Sequence, residues 1–212
     1  MSSVDPNRRQ TPVIYLVDDD EAVREGLSLL IRSMGLEVQS FTSPQAFLEA
    51  FDPEVIGCLV TDIRMPEMSG LQLQALMQTR AVDLPVVVIT GHGDVNLARR
   101  AFLGGAVEFL TKPVDELTLI ETLQRAVRTH IRSRERFSTT RQAQERLTRL
   151  SARELEVLRF MVDGLTSKQI ARRLELSPRT VETHRAHLME KLEVESLAVL
   201  VRLYLEGLDE RP

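Results

Sequence analysis

The sequence of 212 residues contains no tryptophan, a single cysteine, and only two tyrosines and seven phenylalanines. One cysteine cannot form an internal disulfide, so Cys58 argues against a secreted scaffold held together by disulfides. The scarcity of aromatic rings argues against a protein that binds single-stranded nucleic acid by stacking its bases. With 43% hydrophobic and 27% charged residues, ten glycines and nine prolines, the composition excludes a disordered or fibrous chain.

Long hydrophobic runs are also missing. The longest, VIYLV and VVVI, have the length of a strand, whereas a membrane-spanning helix needs roughly 20 hydrophobic residues. The first residues, MSSVDPNRRQTP, are polar and lack the hydrophobic core of a signal peptide. We therefore expect a protein of the reducing cytoplasm that makes no contact with a membrane.

Basic charge is scarce in residues 1–123, which hold 9 Lys and Arg against 18 Asp and Glu. Residues 124–212 reverse the balance, with 18 against 13. Most of that excess lies in 124–146, a stretch with seven arginines and two glutamates. The asymmetry suggests an acidic module followed by one that faces a polyanion, although an arginine-rich linker produces the same balance.

The first half alternates short β-branched runs with longer helical patterns. The predicted strands are Val13–Val17, Val38–Phe41, Cys58–Thr61, Val86–Thr90 and Val107–Leu110. The predicted helices cover about 21–35, 44–51, 71–79, 95–103 and 115–130. Such alternation predicts an α/β fold with right-handed crossovers and a mostly parallel sheet. The strands are almost unbroken hydrophobic runs, so we expect helices on both faces of the sheet.

The second half shows no strand pattern from residue 150 onward. Residues 124–146 are predicted to continue the fifth helix and pass into a linker. Four further helices are predicted from their start signals. The first two begin with the capping boxes Ser151-x-x-Glu154 and Thr166-x-x-Gln169, the third begins at Ser177–Pro178, and the fourth begins at Ser196. An all-α second domain therefore follows the α/β domain.

Acidic side chains follow two of the predicted strands. Asp18, Asp19 and Asp20 come directly after the first strand, and Asp62 directly after the third. Because ligands in open parallel sheets bind at the carboxyl ends of the strands, we expect these side chains to share one edge. Crowded carboxylates repel each other unless a cation neutralises them, and Mg²⁺ prefers such oxygen ligands.

The fourth and fifth strands add a hydroxyl and a cation to the same edge. Thr90 ends the fourth strand, and Lys112 follows the fifth. A phosphoryl group on Asp62 would meet the metal, a hydroxyl and an ammonium there. A single aspartate after a strand is usually a loop or capping residue, but the convergence of these positions favours a site. The ring of Phe109 is either packed in the core or a mobile switch, and the sequence leaves both open.

The segments VDDDEAVR, VTDIRMPEMSG, VVVITGHGD and FLTKP resemble the receiver domain of bacterial two-component response regulators over residues 12–124. The resemblance implies a flavodoxin-like five-stranded sheet in the order 2-1-3-4-5, with Asp62 as phosphoacceptor. The resemblance also implies a Mg²⁺ site formed by Asp18, Asp19, Asp62 and the backbone carbonyl of Arg64. It implies that Thr90 and Lys112 contact the phosphoryl oxygens and that Thr90 and Phe109 form the switch. The Lys112–Pro113 peptide bond is a candidate cis bond by the same resemblance. Asp20 is an additional acid beside the metal.

The pattern of the second half predicts a helix-turn-helix formed by the helices at 166–174 and 178–192. On the later helix, Arg179, Glu182, Thr183 and Ala186 share an outward face that suits a major groove. A charged helix face is usually only solvated, but two capped helices in tandem favour DNA binding. The candidate DNA contacts are Lys168, Arg172, Arg173, Arg179, Thr180, Glu182, Thr183, Arg185, Ala186 and His187.

The segment from Leu150 to Ser196 resembles the LuxR-type four-helix DNA-binding domain over 147–208, after a helical linker at 125–146. Many members of that family have basic residues at the positions of Glu182 and Ala186, so their site preference does not carry over. TGHGD together with SPRTVETHR most resembles the FixJ group of NarL/FixJ response regulators.

This resemblance implies a transcription factor, with activation expected, that a sensor histidine kinase phosphorylates. It implies promoter DNA and RNA polymerase as partners, Mg²⁺ as cofactor, and no enzymatic turnover beyond transfer to Asp62 and slow hydrolysis. It also implies a homodimer after phosphorylation, formed through the fourth helix, fifth strand and fifth helix. The expected salt-linked members of that interface are Arg99, Arg100, Asp115 and Glu116.

Two alternatives stay open. One is a phosphatase that forms an aspartyl-phosphate intermediate. Such enzymes have Thr or Val after an Asp-x-Asp motif, whereas this sequence has Ala22 at that position. A phosphatase would also have no use for the helix-turn-helix. The other is a constitutive DNA-binding protein with a vestigial receiver, against which the intact Asp, Thr and Lys set speaks.

Overall fold

A computed structural model describes residues 11–208. The chain divides into two compact units whose boundary lies between Ser133 and Arg134. The first unit contains β1 (Val13–Val17), α1 (Glu21–Ser33), β2 (Glu37–Phe41), α2 (Pro44–Ala50), β3 (Gly57–Asp62), α3 (Gly70–Thr79), β4 (Val86–Thr90), α4 (Val95–Leu103), β5 (Ala106–Thr111) and the start of α5 (Glu116–Leu147). Each predicted strand is present, and three extend by one or two residues.

The five strands form one parallel sheet in the order β2-β1-β3-β4-β5, which confirms the predicted topology. Alternate residues of β1 enter two separate hydrophobic cores, one on each face of the sheet. Tyr15 and Val17 belong to one core, and Ile14 and Leu16 belong to the other. Burial on both faces explains why the strands carry unbroken hydrophobic runs.

Polar side chains cap the helices that follow the strands. Asp20, Ser43, Ser69 and Asp94 each accept a hydrogen bond from a backbone N–H in the first turn of α1, α2, α3 and α4. These caps satisfy donors that the helix itself cannot pair. They place the start of each helix close after the carboxyl end of the preceding strand or its loop.

The fifth helix continues through the stretch predicted as a helical linker. It is one α-helix of 32 residues, Glu116–Leu147, which confirms that residues 124–146 extend the helical pattern of about 115–130. The physical reason is composition, because residues 124–146 contain no glycine or proline and are rich in Arg and Gln, which favour helix. In the first unit, Nδ1 of the buried His130 of α5 lies 3.0 Å from both the backbone nitrogen and the carbonyl oxygen of Gly57.

The second unit contains the end of α5, then α6 (Ala152–Val162), α7 (Ser167–Leu174), α8 (Pro178–Lys191) and α9 (Leu197–Leu208). Both predicted capping boxes are formed, Ser151 with Glu154 and Thr166 with Gln169. The core of this unit includes Val157, Leu158, Ile170, Val181 and Leu188. Across residues 11–208, no helix is both long and hydrophobic enough to cross a membrane.

Candidate functional site

The ammonium of Lys112 lies between two carboxylates at the carboxyl edge of the sheet. Its Nζ is 2.6 Å from Oδ2 of Asp18 and 3.2 Å from Oδ1 of Asp62. Both aspartates are buried, so the ammonium offsets their repulsion in a region with little water. Burial alone would lower the pKa of Lys112, but the two carboxylates raise it above its usual value. Lys112 is therefore a cation at neutral pH.

Asp62 is held from both oxygens. While Oδ1 faces Lys112, Oδ2 accepts a hydrogen bond from the backbone N–H of Arg64 at 2.6 Å. Behind it, Gly70 packs so closely that a Cβ at this position would lie 2.1 Å from the carbonyl oxygen of Asp62. The carboxylate of Asp62 is thus oriented by Arg64 and Lys112, while the start of α3 packs against its backbone carbonyl.

The three consecutive aspartates after β1 have different surroundings. Asp18 faces Lys112, and its burial raises the pKa of its carboxyl group despite the hydrogen bond from Lys112. Asp19 is exposed. Asp20 caps α1 by accepting a hydrogen bond from the N–H of Val23 at 3.1 Å, so its carboxylate has a structural partner. The structure therefore gives Asp20 a capping role, and its position beside a metal stays a prediction.

Arg24 is a residue that the sequence reasoning missed. Its guanidinium donates to the carbonyl oxygens of Asp18 at 2.9 Å and Asp19 at 3.5 Å, and so braces the loop that carries the acidic side chains. Its position four residues after Asp20, on the first turns of α1, was the available signal. Gly70 was also missed, because a close approach to a backbone carbonyl leaves no pattern in the sequence.

The oxygens at this edge suit a hard cation. Asp18 and Asp62 offer carboxylate oxygens, which together with a backbone carbonyl and waters are the ligands that Mg²⁺ takes. Within residues 11–208, no group of three or more His, Cys, Asp or Glu side chains is arranged to hold a metal. The side chains that face this edge therefore offer Mg²⁺ two carboxylates, which is the number that protein sites for this ion commonly use.

The two residues predicted to form the switch lie on the neighbouring strands. Thr90 is buried at the end of β4, one position beyond Ile89, which pairs with Asp62. Its Oγ1 accepts a hydrogen bond from the N–H of His92 at 3.3 Å. Phe109 is half-buried on β5. The Lys112–Pro113 peptide bond is cis, the isomer that the resemblance implies.

Gly93 brings the loop after β4 against β5. A Cβ on Gly93 would lie 2.3 Å from Cγ2 of Thr111 and 3.8 Å from the ring of Phe109. The loop after Thr90 therefore packs against Thr111, and the ring of Phe109 lies near it. Sequence reasoning missed this close approach, which glycine permits.

The second unit presents the predicted outward face of α8. Arg179, Glu182, Thr183 and Ala186 are exposed, while Val181 and Leu188 of the same helix are buried. The further candidates Lys168, Arg172 and His187 are also exposed. The exposed set is available to a DNA groove without any rearrangement of the core.

Other DNA-contact candidates are already bonded within the unit. The guanidinium of Arg185 donates to Oγ of Ser167 at 3.1 Å, and that of Arg173 lies over the ring of Phe160, 5.6 Å from its centroid. The hydroxyl of Thr180 is 2.8 Å from that of Ser177. Arg185 links α8 to α7, so it positions the two helices relative to each other whether or not it also contacts DNA.

Comparison with known proteins agrees with both units. Residues 14–124 match the family of response regulator receiver domains. Residues 148–204 match the luxR family of bacterial regulatory proteins. Receiver domains generally bind Mg²⁺ at the site of phosphorylation.

Individual relatives share this two-domain arrangement over most of their length. The response regulator protein TodT of Pseudomonas putida is 41% identical over 191 residues, which are 90% of this chain and 84% of TodT. The transcriptional regulatory protein FixJ of Rhizobium meliloti is 43% identical over 195 residues, 92% of this chain and 95% of FixJ.

Two solved structures of full regulators are also similar. The response regulator StyR aligns with a TM-score of 0.81 and 42% identity, covering 92% of this chain and 99% of StyR. Full-length FixJ from B. japonicum aligns with a TM-score of 0.58 and 37% identity, covering 95% of this chain and all of its own. This chain belongs to the FixJ-like, DNA-binding response regulators of two-component systems, which join a receiver domain to a LuxR-type helix-turn-helix domain.

Proposed function

We propose that a sensor histidine kinase phosphorylates Asp62 and that the aspartyl phosphate controls how the helix-turn-helix domain acts at promoters. The observation that carries the proposal is the position of the Lys112 ammonium, within 3.2 Å of both Asp18 and Asp62. An acceptor carboxylate needs a neighbouring cation, because phosphorylation adds about −1.5 to −2 charge at pH 7. Lys112 supplies that cation.

In the proposed transfer, an oxygen of Asp62 attacks the phosphorus of a phosphohistidine. The new O–P bond forms as the P–N bond breaks, and the imidazole nitrogen keeps the electron pair. Lys112 and the hydroxyl of Thr90 then contact the phosphoryl oxygens. Such reactions depend mainly on positioning and charge neutralisation, which the hydrogen bond from Arg64 and the ammonium of Lys112 provide.

Magnesium is the proposed cofactor of this transfer. Bound Mg²⁺ would neutralise charge that develops on the phosphoryl oxygens. We assign it to Asp18, Asp62 and the carbonyl of Arg64, with Asp19 on the exposed side. No turnover beyond this self-directed transfer and its slow hydrolysis is proposed.

We propose that phosphorylation shifts the pair Thr90 and Phe109. Thr90 moves toward the phosphoryl group, and the ring of Phe109 fills the space that it leaves. Support comes from Gly93, which brings the loop after β4 close to Thr111 and near the ring of Phe109. A displaced loop would therefore change the space available to the aromatic ring, and a bistable pair of this kind biases the whole domain.

The surface formed by α4, β5 and α5 is the proposed dimer interface. Exposed large hydrophobic side chains on α4 and at the start of α5 are Val95, Phe102, Leu103 and Leu117. Arg99, Arg100 and Glu116 remain the proposed salt-linked members. Asp115 is less available, because its carboxylate accepts hydrogen bonds from the N–H and hydroxyl of Thr118 at the start of α5.

The proposed domain limits are 12–124 for the receiver, 125–146 for the linker and 147–208 for the DNA-binding domain. The exposed residues of α7 and α8 contact DNA, with Lys168, Arg172 and Arg179 at phosphates and Glu182, Thr183 and Ala186 at base edges. Thr180, Arg185 and His187 complete the proposed surface. We further propose action in the cytoplasm, with RNA polymerase as the partner of the DNA-bound dimer.

The test is labelling with acetyl phosphate and Mg²⁺, followed by intact-mass measurement and operator binding. We expect one phosphoryl group per chain, none on Asp62→Asn, and tighter DNA binding only in the labelled parent. Steady release of phosphate from small esters would instead support the phosphatase alternative. Equal DNA binding and activation by parent and Asp62→Asn would support the constitutive regulator.

A further inference from the structure

A cavity of about 340 Å³ lies between α1 and the edge strand β2 of the first unit. Its polar lining residues are Arg24, Glu25, Ser28 and Arg32 of α1 and Ser40 of β2. Arg24, Ser28 and Arg32 follow one another at intervals of four residues, so they share one face of the helix. Pockets that hold small molecules have volumes of roughly 300–1,000 Å³, so this cavity is large enough for one. We call it the α1–β2 cavity.

Ser28 is the buried polar group of this cavity. Only 7% of its surface is exposed, and its Oγ has no hydrogen-bond partner among residues 11–208. A buried hydroxyl costs free energy unless it is hydrogen-bonded. On β2, Ser40 lies two residues after Val38, which is buried in the hydrophobic core that α1 covers, so both side chains are on the same face of the sheet. Two hydroxyls therefore line a place where packing alone would favour hydrophobic side chains.

The two arginines of the lining have donors available to a ligand. Among the described residues, Arg24 uses only Nη1, which donates to the carbonyl oxygens of Asp18 at 2.9 Å and Asp19 at 3.5 Å. Arg32 is exposed, and no described residue forms an ion pair or hydrogen bond with its guanidinium. The exposed Glu25 likewise forms no ion pair within residues 11–208. Two arginines and one glutamate give the lining a net charge of +1.

We propose that the α1–β2 cavity binds a small ligand through a phosphate group, which is either free phosphate or a phosphate monoester. The two guanidinium groups of α1 and the hydroxyls of Ser28 and Ser40 are donors on two sides of the cavity. A phosphate group has more acceptor oxygens than a carboxylate, so it can use donors on both sides at once. The inference is independent of the proposed phosphorylation, because no step in it involves Asp62.

Arg24 connects the α1–β2 cavity to the acidic loop after β1. The guanidinium that lines the cavity also holds the backbone carbonyls of Asp18 and Asp19. A phosphate bound to this guanidinium changes the electrostatic surroundings of those two peptide groups. The backbone amides of Asp19 and Asp20 should therefore report on a bound ligand, in addition to the amides of the residues that line the cavity.

The test is a titration of the ¹⁵N-labelled full-length protein with inorganic phosphate, and in a second arm with phenyl phosphate, followed by ¹H–¹⁵N correlation spectra. Mg²⁺ is omitted, and KCl keeps the ionic strength constant. Below 20 mM ligand we expect saturable shifts for the amides of residues 24–32 and 39–41 and for those of Asp19 and Asp20. Tighter binding of phenyl phosphate would assign a monoester, and tighter binding of inorganic phosphate would assign the free ion. Either result supports the proposal.

Variants of the lining should change the affinity in opposite directions. Arg32→Gln should weaken binding about tenfold, because hydrogen bonds to charged groups are among the stronger ones in proteins. Glu25→Gln should tighten binding about twofold, because it removes a negative charge from the exposed rim. Ser28→Ala should weaken binding about threefold, while thermal unfolding without ligand shows no loss of stability, since the hydroxyl has no partner to lose.

Arg80→Gln is the control for a general change of charge. Arg80 is exposed at the end of α3, a helix whose buried residues Leu73 and Met77 belong to the core on the other face of the sheet. This variant should bind phosphate as the parent does. Acetate at the same ionic strength is the control ligand, and it should bind at least tenfold more weakly than phosphate.

Three results would overturn the inference. The first is the absence of saturable shifts at the residues that line the α1–β2 cavity. The second is equal phosphate affinity of the parent and Arg32→Gln, which would place the ion at another site, such as Lys112. The third is equal affinity for acetate and phosphate. Labelling of Asp62 by acetyl phosphate is measured separately and is expected to proceed in Arg32→Gln, so these results leave the proposed function intact.

Discussion

At the scale of single residues, the chemistry of the first unit depends on close approaches between side chains and backbone. Lys112 satisfies two carboxylates at once, and Arg24 holds the carbonyl of Asp18. Neither contact stands alone, because both end on the same aspartate. The acceptor site is therefore a small charged network in which removal of one member leaves a buried charge without a partner.

Gly70 provides a sharp residue-scale prediction. Gly70→Ala would place a methyl group 2.1 Å from the carbonyl oxygen of Asp62, so the start of α3 or the acceptor strand must shift. We expect the free energy of unfolding of the first unit to fall by about 2–3 kcal/mol and labelling of Asp62 by acetyl phosphate to slow. Urea unfolding and intact-mass kinetics measure the two effects.

Gly26 is the matched control for that substitution. It lies inside α1 with nothing within 4 Å of an added Cβ. Gly26→Ala should raise stability by about 0.5–1 kcal/mol, because alanine favours helix over glycine. Equal effects of the two substitutions would show that the approach of Gly70 to Asp62 is not limiting.

At the scale of elements, the helices of the second unit are defined by their caps. In α6, Oε2 of Glu154 accepts hydrogen bonds from the N–H and hydroxyl of Ser151 and from Nζ of Lys191, at 2.7 to 2.9 Å. In α7 the same box uses the uncharged Gln169. The two boxes therefore share a geometry but respond differently to pH.

Glu154 predicts a loss of stability in acid. Burial alone would raise the pKa of Glu154, but the hydrogen bonds from Lys191 and Ser151 lower it to about 2. Because the folded pKa lies below the unfolded value, near 4.5, the stabilisation is complete above pH 4.5 and disappears as pH falls toward 2. Hydrogen bonds to a charged group contribute about 1.5–3 kcal/mol.

The measurement is urea unfolding of parent and Glu154→Gln between pH 2.5 and 7, followed by circular dichroism. The difference between the two should be largest near pH 7 and much smaller at pH 2.5, because the stabilisation is lost as the pH falls toward the folded pKa of about 2. Glu156→Gln is the control, because Glu156 is half exposed and pairs only with Arg153. A difference that is independent of pH would contradict the charged cap.

The exposed face of α8 predicts a change in DNA sequence preference. Glu182 is exposed on this helix, where a carboxylate can accept a hydrogen bond from the amino group of cytosine. Glu182→Ala should relax the preference at one base pair by about 1–3 kcal/mol, as measured by in vitro selection followed by competition binding. An unchanged sequence preference would rule out that contact. Lys168→Gln is the control, because loss of a phosphate contact should weaken binding to all DNA sequences by the same factor.

At the scale of the whole molecule, the proposed function has phosphorylation act on DNA binding through an interaction between two chains. Leu103 is 75% exposed at the end of α4, within the proposed interface. Leu103→Glu should prevent dimerisation after labelling, because a charge replaces a hydrophobic contact, while labelling of Asp62 itself proceeds. Light scattering with and without beryllofluoride and Mg²⁺ measures the change.

A control for the interface lies on another helix of the same unit. Leu29 is 73% exposed on α1, so Leu29→Glu alters a similar hydrophobic surface away from α4, β5 and α5. We expect this variant to dimerise as the parent does. If both variants dimerise normally, the interface lies elsewhere.

The sequence by itself determined the elements and their order. Hydrophobic runs of strand length, capping residues such as Ser43 and Thr166, and the alternation of strands and helices are local features that act over a few residues. Parallel crossovers then require that Asp18 and Asp62 end at the same edge. The continuation of α5 was predictable in the same way, because residues 124–146 contain no glycine or proline that would end the helix.

Only the tertiary structure decided which charges have partners. Lys112 and Asp18 are 94 residues apart in the chain, and Lys191 and Glu154 are 37 apart. Whether such groups meet depends on packing between elements, which no local pattern records. Thus Arg185 donates to Ser167 of α7 and Asp20 caps a helix, although nothing in the sequence distinguishes these two residues from other charged residues.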